Sequence, residues 1–216
     1  MGILLIDSSS EKIQFGFSIE NKLVLNEVTD PGSNADSLTF HIRSSFNRKN
    51  ISLKEIEIVS LSNGPGSFTG LRIGSSVSKG ICFSTGSSFI EISTLDIIAN
   101  KYKNADRVVS LIFSNTRTLE FYYCGYEFVK GELRRITDYE TSDIEHILSQ
   151  SKTAFVINEK NKSIIPDKYS GIIKDVSSFS DIESQLELTI EAISRKRFSN
   201  YKTSEPFYMK DFIPNN

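Results

Sequence analysis

The run Asn63-Gly64-Pro65-Gly66-Ser67-Phe68-Thr69-Gly70-Leu71-Arg72-Ile73-Gly74 holds the residues of this chain whose types and spacing are best suited to chemistry or recognition. Gly64 and Gly66 allow positive φ or close backbone approach, Pro65 stiffens the turn between them, and Ser67 stands where it can cap a helix. The bare amides of such a helix start can receive an anion or a partner's carbonyl. Gly70, Gly74 and Ser78 then recur on one side of that helix, at roughly 1 kcal/mol of helix propensity per glycine. Such a stripe implies close approach, either by the chain's own sheet or by a foreign helix.

Other reactive types are sparse. His41 and His146 are far apart in sequence and lack the i, i+4 spacing that sets two imidazoles on one helical face, so no metal site is expected. Ser67 lies in a Gly-Pro-Gly-Ser turn without a Gly-x-Ser-x-Gly elbow or an evident histidine, which argues against serine peptidase chemistry. Cys82 and Cys124 have no Cys-x-x-Cys spacing and lie among apolar and aromatic neighbours, as buried thiols in a reducing compartment would. Asp7, followed by Ser8-Ser9-Ser10, either bonds its own turn or contacts a nucleotide.

The elements that must position these residues belong to an ordinary globular chain. Over 216 residues, 38% hydrophobic and 24% charged side chains exclude disorder and coiled coil. The formal net charge of −2 lacks the surplus that non-specific nucleic-acid binding draws on, so any RNA contact would be local or shared with a partner. Ile3-Leu4-Leu5-Ile6 is too short for a signal-peptide core or a membrane span. Met1-Gly2 is followed by Ile6 where a myristoylation signal has Ser or Thr. A cytoplasmic location is expected.

An apolar run over 2–7 predicts a buried strand, strict alternation at Ile13, Phe15, Phe17 and Ile19 a second, and 23–28 a third. After Pro31-Gly32, Leu38, Ile42 and Phe46 recur at helical spacing, with Ser33 or Asn34 as cap. A Ser52-x-x-Glu55 capping box, a strand over 56–61, the glycine-rich loop, a helix to about 83, a strand over 89–92 and a short helix from Ser93 complete the half. The second half repeats the order: strands over 108–113, 119–126 and after Lys130-Gly131, a helix from Ser142 with Glu145 as its capping-box partner, and a strand over 154–157. A long helix opened by Ser180 and Glu183 then carries Ile182, Leu186, Ile190 and Ile193. Strand-strand-strand-helix-strand-helix, twice over, is the pattern of a two-lobed α/β fold of the actin, Hsp70 and sugar-kinase class. Lobes over 1–103, with the dimerisation helices, and 104–216 are expected, with the turns at Asp7 and at Ser114-Asn115-Thr116-Arg117 facing one cleft.

The run from Gly64 to Gly74 closely resembles the signature of the TsaB (YeaZ) family, bacterial relatives of the tRNA threonylcarbamoyltransferase subunit TsaD. Ile3-Leu4-Leu5-Ile6-Asp7-Ser8-Ser9 is similar to the family's opening strand and turn, and Ile92-Ser93-Thr94-Leu95 to its post-strand helix start. Arg117 and Glu120 fall in its Asp-Ala-Arg-x-x-Glu-type turn, and Glu205-Pro206-Phe207-Tyr208-Met209-Lys210 resembles its Glu-Pro-x-Tyr-Leu-Arg stretch. The resemblance is weakest over 129–202. Asn115 stands where the family has Asp, Leu119 where it has Gly, and Asn34 where it often has His.

The resemblance implies a non-catalytic scaffold subunit that pairs with TsaD through the helices over 38–46 and 67–83. Leu38, Ile42, Phe68, Leu71, Arg72, Val77 and the small stripe Gly70, Gly74 and Ser78 would form the contact. TsaD would transfer threonylcarbamoyl to N6 of the anticodon-adjacent adenosine in tRNAs reading codons that begin with A, with tRNA met mainly through the complex. It further implies a TsaE-like P-loop ATPase on the assembled pair and a homodimer in isolation. No cofactor is expected beyond weak ATP or ADP binding at the partner interface, with Asp7, Ser8, Ser9, Asn115 and Arg117 as a weak, vestigial nucleotide site. The alternative is an ATP-dependent small-molecule kinase of the same fold. That chemistry needs a carboxylate from each lobe and a glycine-rich loop in the second, whereas Asn115 is neutral and Gly125, Gly131 and Gly171 are scattered. Arg195, Lys196 and Arg197 give the last helix a basic end of the kind that ordinarily favours a helix C-terminus and water.

Overall fold

In the computed structural model, which describes residues 1–29, 35–149, 153–158 and 165–209, the apolar opening forms strand β1 (Gly2–Asp7), buried along its whole length. Antiparallel β2 (Gln14–Ile19) lies beside it, and β3 (Lys22–Val28) beside β2. Glu20 and Asn21, with φ of 51° and 64°, make the tight turn whose twist matches a hairpin. Helix α1 (Ala35–Arg48) follows; its expected caps, Ser33 and Asn34, lie outside the described residues. The capping box at Ser52 and Glu55 forms, on a single 3-10 turn over Leu53–Glu55. Strand β4 (Ile58–Ser62), helix α2 (Phe68–Thr85) and strand β5 (Ser88–Ile92) then add two parallel strands, giving the order β3-β2-β1-β4-β5.

Helix α3 (Thr94–Asn100) leads into β6 (Arg107–Asn115), β7 (Glu120–Val129) and β8 (Glu132–Arg135). Strand β9 (Glu140–Asp143), helix α4 (Ile144–Ser149), β10 (Ala154–Ile157), α5 (Asp167–Ser170) and β11 (Ile173–Asp175) follow. The second sheet runs β8-β7-β6-β10-β11, which repeats the first strand for strand. Lys130 and Gly131, with φ of 55° and 84°, repeat its hairpin turn. Duplicated mixed sheets of this order define an α/β fold of the actin, Hsp70 and sugar-kinase class.

One expectation fails locally. Ser142 does not open a helix: Glu140–Asp143 pairs with β7 as β9, and Asp143 caps α4 by accepting from the His146 amide at 2.9 Å. Phe121, Tyr123, Ile144, Ile147 and Phe155 share one apolar core, so strand pairing wins over the local capping pattern. Within the same unit Tyr126 and Tyr139 both donate to Asp96 Oδ1, at 2.7 and 2.9 Å, which fastens α3.

The chain divides into two compact units, Met1–Thr94 with Asp181–Phe207 and Leu95–Ser180 with Tyr208–Asn216. This differs from lobes at 1–103 and 104–216, because α6 (Asp181–Ser194) returns to the first sheet. That sheet is covered on both faces. On one, Leu4, Ile6, Phe15, Phe17, Val59 and Leu61 pack with Leu38, Ile42 and Phe46 of α1 and Val77 and Cys82 of α2. On the other, Gly16 leaves room for Ile182, and Gln185 Nε2 donates to the carbonyls of Ser60 and Ile6 at 3.1 and 3.3 Å. The hydroxyls of Ser60 and Thr189 meet at 2.7 Å. Gln14 Nε2 donates to Asp181 at the start of α6, at 2.8 Å.

Candidate functional site

Ser67 caps α2 as its type and place predict, its hydroxyl accepting from the Gly70 amide at 3.2 Å. Its own amide donates to the Ser9 carbonyl at 2.7 Å, so the helix start rests on the turn that follows β1. Glycines make this possible. A Cβ would stand 2.4 Å from the Ser9 carbonyl oxygen at Gly66, 2.0 Å from that of Ser8 at Gly70, and 2.1 Å from the Ser8 hydroxyl at Gly74. Gly64, at φ 109°, turns the loop so that its carbonyl accepts from the Thr94 amide at 2.8 Å.

The stripe Gly70, Gly74 and Ser78 therefore faces the chain's own first strand and turn, and all three residues are buried. This corrects the expectation that it forms an outward notch. Leu38, Ile42, Leu71 and Val77 are likewise core residues, at 0 to 7% exposure. Their apolar character is consumed in folding, and truncating any of them to alanine costs roughly 2 to 5 kcal/mol of stability for a large aliphatic side chain. Of the expected contact residues, exposed Arg72 and half-buried Phe68 face solvent, with the guanidinium 4.0 Å from the ring centroid.

The outward faces of the two helices, which pack side by side, carry a different set. Phe40 on α1 is 67% exposed and Phe83 on α2 is 79% exposed. Arg72, Ser76, Gly80 and Phe83 form one exposed stripe at helical spacing, and a Cβ at Gly80 would meet nothing within 4 Å. Phe40 is two residues past Leu38 and Phe83 one past Cys82, both out of phase with the buried stripe. That phase was the signal available in the sequence; reading each apolar residue as core hides it.

Asp7 and Asn115 occupy matching places, at the ends of β1 and β6. Asp7 Oδ1 accepts from the amide and hydroxyl of Ser9 at 2.9 and 2.7 Å, and Asn115 Oδ1 accepts from the Arg117 amide at 3.0 Å. Each side chain thus bonds its own turn, and an amide oxygen does this as well as a carboxylate. Ser8 is buried against α2, while Arg117 is exposed. Leu119 holds φ 51° in the left-handed region that glycine enters at least cost.

A family model described as TsaD, tRNA N6-adenosine threonylcarbamoyltransferase, matches residues 34–204, well over half of the chain. The chain is similar to the tRNA threonylcarbamoyladenosine biosynthesis protein TsaB of Buchnera aphidicola, 30% identical over 115 residues, 51% of this chain and 50% of that protein. It is 26% identical to TsaB of Escherichia coli over 59% of this chain and 55% of that one. YeaZ from Pseudomonas aeruginosa shares the fold, with a TM-score of 0.78 at 21% identity over 96% of this chain and 99% of that structure. The chain belongs to the TsaB/YeaZ family. It spans about half the length of the curated TsaB relatives it matches. In this TsaB/YeaZ family member, no group of three or more His, Cys, Asp or Glu side chains among the described residues could hold a metal ion. No described helix is long and apolar enough to cross a membrane.

Proposed function

We propose that this chain serves tRNA threonylcarbamoyladenosine biosynthesis as a non-catalytic subunit, pairing with a TsaD-type threonylcarbamoyltransferase through the outward faces of α1 and α2. Family membership supports the pathway. The observation that carries the contact surface is the pair Phe40 and Phe83, 67% and 79% exposed on adjacent helices whose inner faces are already spent on the core. Burying a phenylalanine side chain contributes about 1.5 to 3 kcal/mol, and aromatic and arginine side chains are the usual anchors of protein interfaces. Ser76 and Gly80 between Arg72 and Phe83 let a foreign helix approach closely. The notch expected at Gly74 is thereby relocated to the opposite side of the same helix.

The scaffold role draws support from His41 and His146, which sit on helices in different units, so no helix offers a histidine pair. Asp7 and Asn115, each bonded into its own turn, give no reason to add phosphoryl transfer. In isolation the same faces pair two copies of the chain, and a TsaE-like ATPase joins the assembled heterodimer.

Titration calorimetry with the TsaD-type subunit tests this reading. Phe83→Asp and Phe40→Asp each weaken the complex at least about tenfold, since each removes one buried aromatic anchor. Circular dichroism stays native in both. An unchanged dissociation constant in the double variant sinks the assignment of the surface. Recovery of tRNA-modifying activity from the chain without TsaD sinks the scaffold role.

A further inference from the structure

We propose that the turn following α6 is an RNA-binding surface, contacting tRNA phosphates through Arg195, Lys196, Arg197 and Lys202 and a base through Phe198. The choice of RNA over other polyanions rests on the tRNA-modifying role proposed above; the surface itself rests on charge and geometry. Between Glu191 and Glu205 the chain carries these four cationic side chains and no carboxylate. Arg195 and Arg197 both pair with Glu191 Oε1, at 2.9 and 3.1 Å. Lys196 and Lys202 are exposed and form no ion pair with a described residue. Phe198, which directly follows Arg197 in the sequence, is 49% exposed.

Helix-end electrostatics do not account for this set. The final carbonyls of α6 are already engaged by backbone donors: the Lys196 amide reaches Ile193 O and the Arg197 amide Ala192 O, both at 2.9 Å. The dipole's influence falls off within the last turn, and Lys202 lies well beyond the helix end at Ser194. The segment is also pre-shaped. The Ser199 amide donates to Phe89 O at 2.8 Å, tying the turn to β5, and the Lys202 amide donates to Asn200 Oδ1 at 3.1 Å. Binding therefore does not have to order the backbone, and the cations are displayed from a fixed frame. Exposed cations with an aromatic side chain between them match a phosphate backbone with an unstacked base, the usual grammar of RNA recognition. The overall charge of −2 confines such a contact to this local surface.

Fluorescence anisotropy with an unmodified tRNA transcript, using the full chain at several salt concentrations, tests the proposal. The chain binds the transcript, and Lys196→Glu with Lys202→Glu weakens binding by about tenfold or more. The slope of log affinity against log salt drops by about two, one for each lost phosphate contact. Phe198→Ala weakens binding to a single-stranded anticodon loop more than to a duplex, because only an unstacked base can use the ring. Lys202→Glu alone, on an exposed turn, guards against a folding defect. Equal affinity of wild type and double variant overturns the proposal, as does a chain held by phosphatidylglycerol vesicles but not by tRNA. Calorimetry with the TsaD-type subunit separates the two readings: the lysine variants pair normally, whereas failure of the wild type to pair defeats the scaffold role and leaves the RNA measurement standing.

Discussion

A methyl group added at Gly70 would stand 2.0 Å from the Ser8 carbonyl oxygen, and one at Gly80 would meet nothing within 4 Å, although both lie on α2. Gly70→Ala therefore costs about 1 to 3 kcal/mol through overpacking against backbone, outweighing the roughly 1 kcal/mol gained in helix propensity. Gly80→Ala keeps only the gain and stabilises by about 1 kcal/mol. Urea midpoints of the two variants move in opposite directions, and a parallel shift contradicts the packing described. Cys82 gives a second test at this scale. Burial pushes its thiol up to about 11 from an ordinary value of 9.0. The unfolded chain then loses this proton at lower pH than the folded one, so the contribution is complete below about pH 9 and fades as pH rises to 11. Wild type should lose more stability between those values than Cys82→Ala. At pH 8 native Cys82 should react with a thiol reagent only after unfolding.

Among the elements, α6 shows how a buried helix face can be polar. Ile182, Gln185, Thr189 and Ala192 are buried on it, and Gln185 Nε2 reaches the Ser60 carbonyl and hydroxyl at 3.1 and 3.2 Å. The apolar spacing of Ile182, Leu186, Ile190 and Ile193 predicts the helix but misses this face, because Gln185 and Thr189 read as solvent-facing until their partners on β4 are known. Gln185→Ala removes these hydrogen bonds and leaves a cavity, for roughly 2 to 4 kcal/mol. Thermal denaturation measures that loss; calorimetry with the TsaD-type subunit should show pairing unchanged, since α6 covers the sheet face opposite α1 and α2. Most other elements were legible to within a few residues, β10 at Ala154–Ile157 among them, because alternation and helical spacing are local signals; α5 and β11, of 4 and 3 residues, are too short to carry a period and were not. Strand β9 was not, since pairing with distant β7 decides it.

At the scale of the molecule, the return of α6 to the first sheet makes the first unit discontinuous in sequence. A fragment over 1–103 exposes the face of the first sheet that α6 covers, so it aggregates or remains unfolded. Supplying 181–207 as a separate peptide restores a cooperative transition by circular dichroism. A fragment that folds alone contradicts the role given to α6. The sequence by itself determined most of the duplicated element order, the cap at Ser67, the hairpin turns and the family, because each depends on residue types close together along the chain. Only the tertiary structure decided that Gly70 and Gly74 turn inward against Ser8, that Leu38 and Ile42 are core while Phe40 and Phe83 are surface, and that α6 belongs to the first unit. The physical reason is common to all three: periodicity fixes which residues share a face, but what covers that face is set by contacts between segments far apart in the chain.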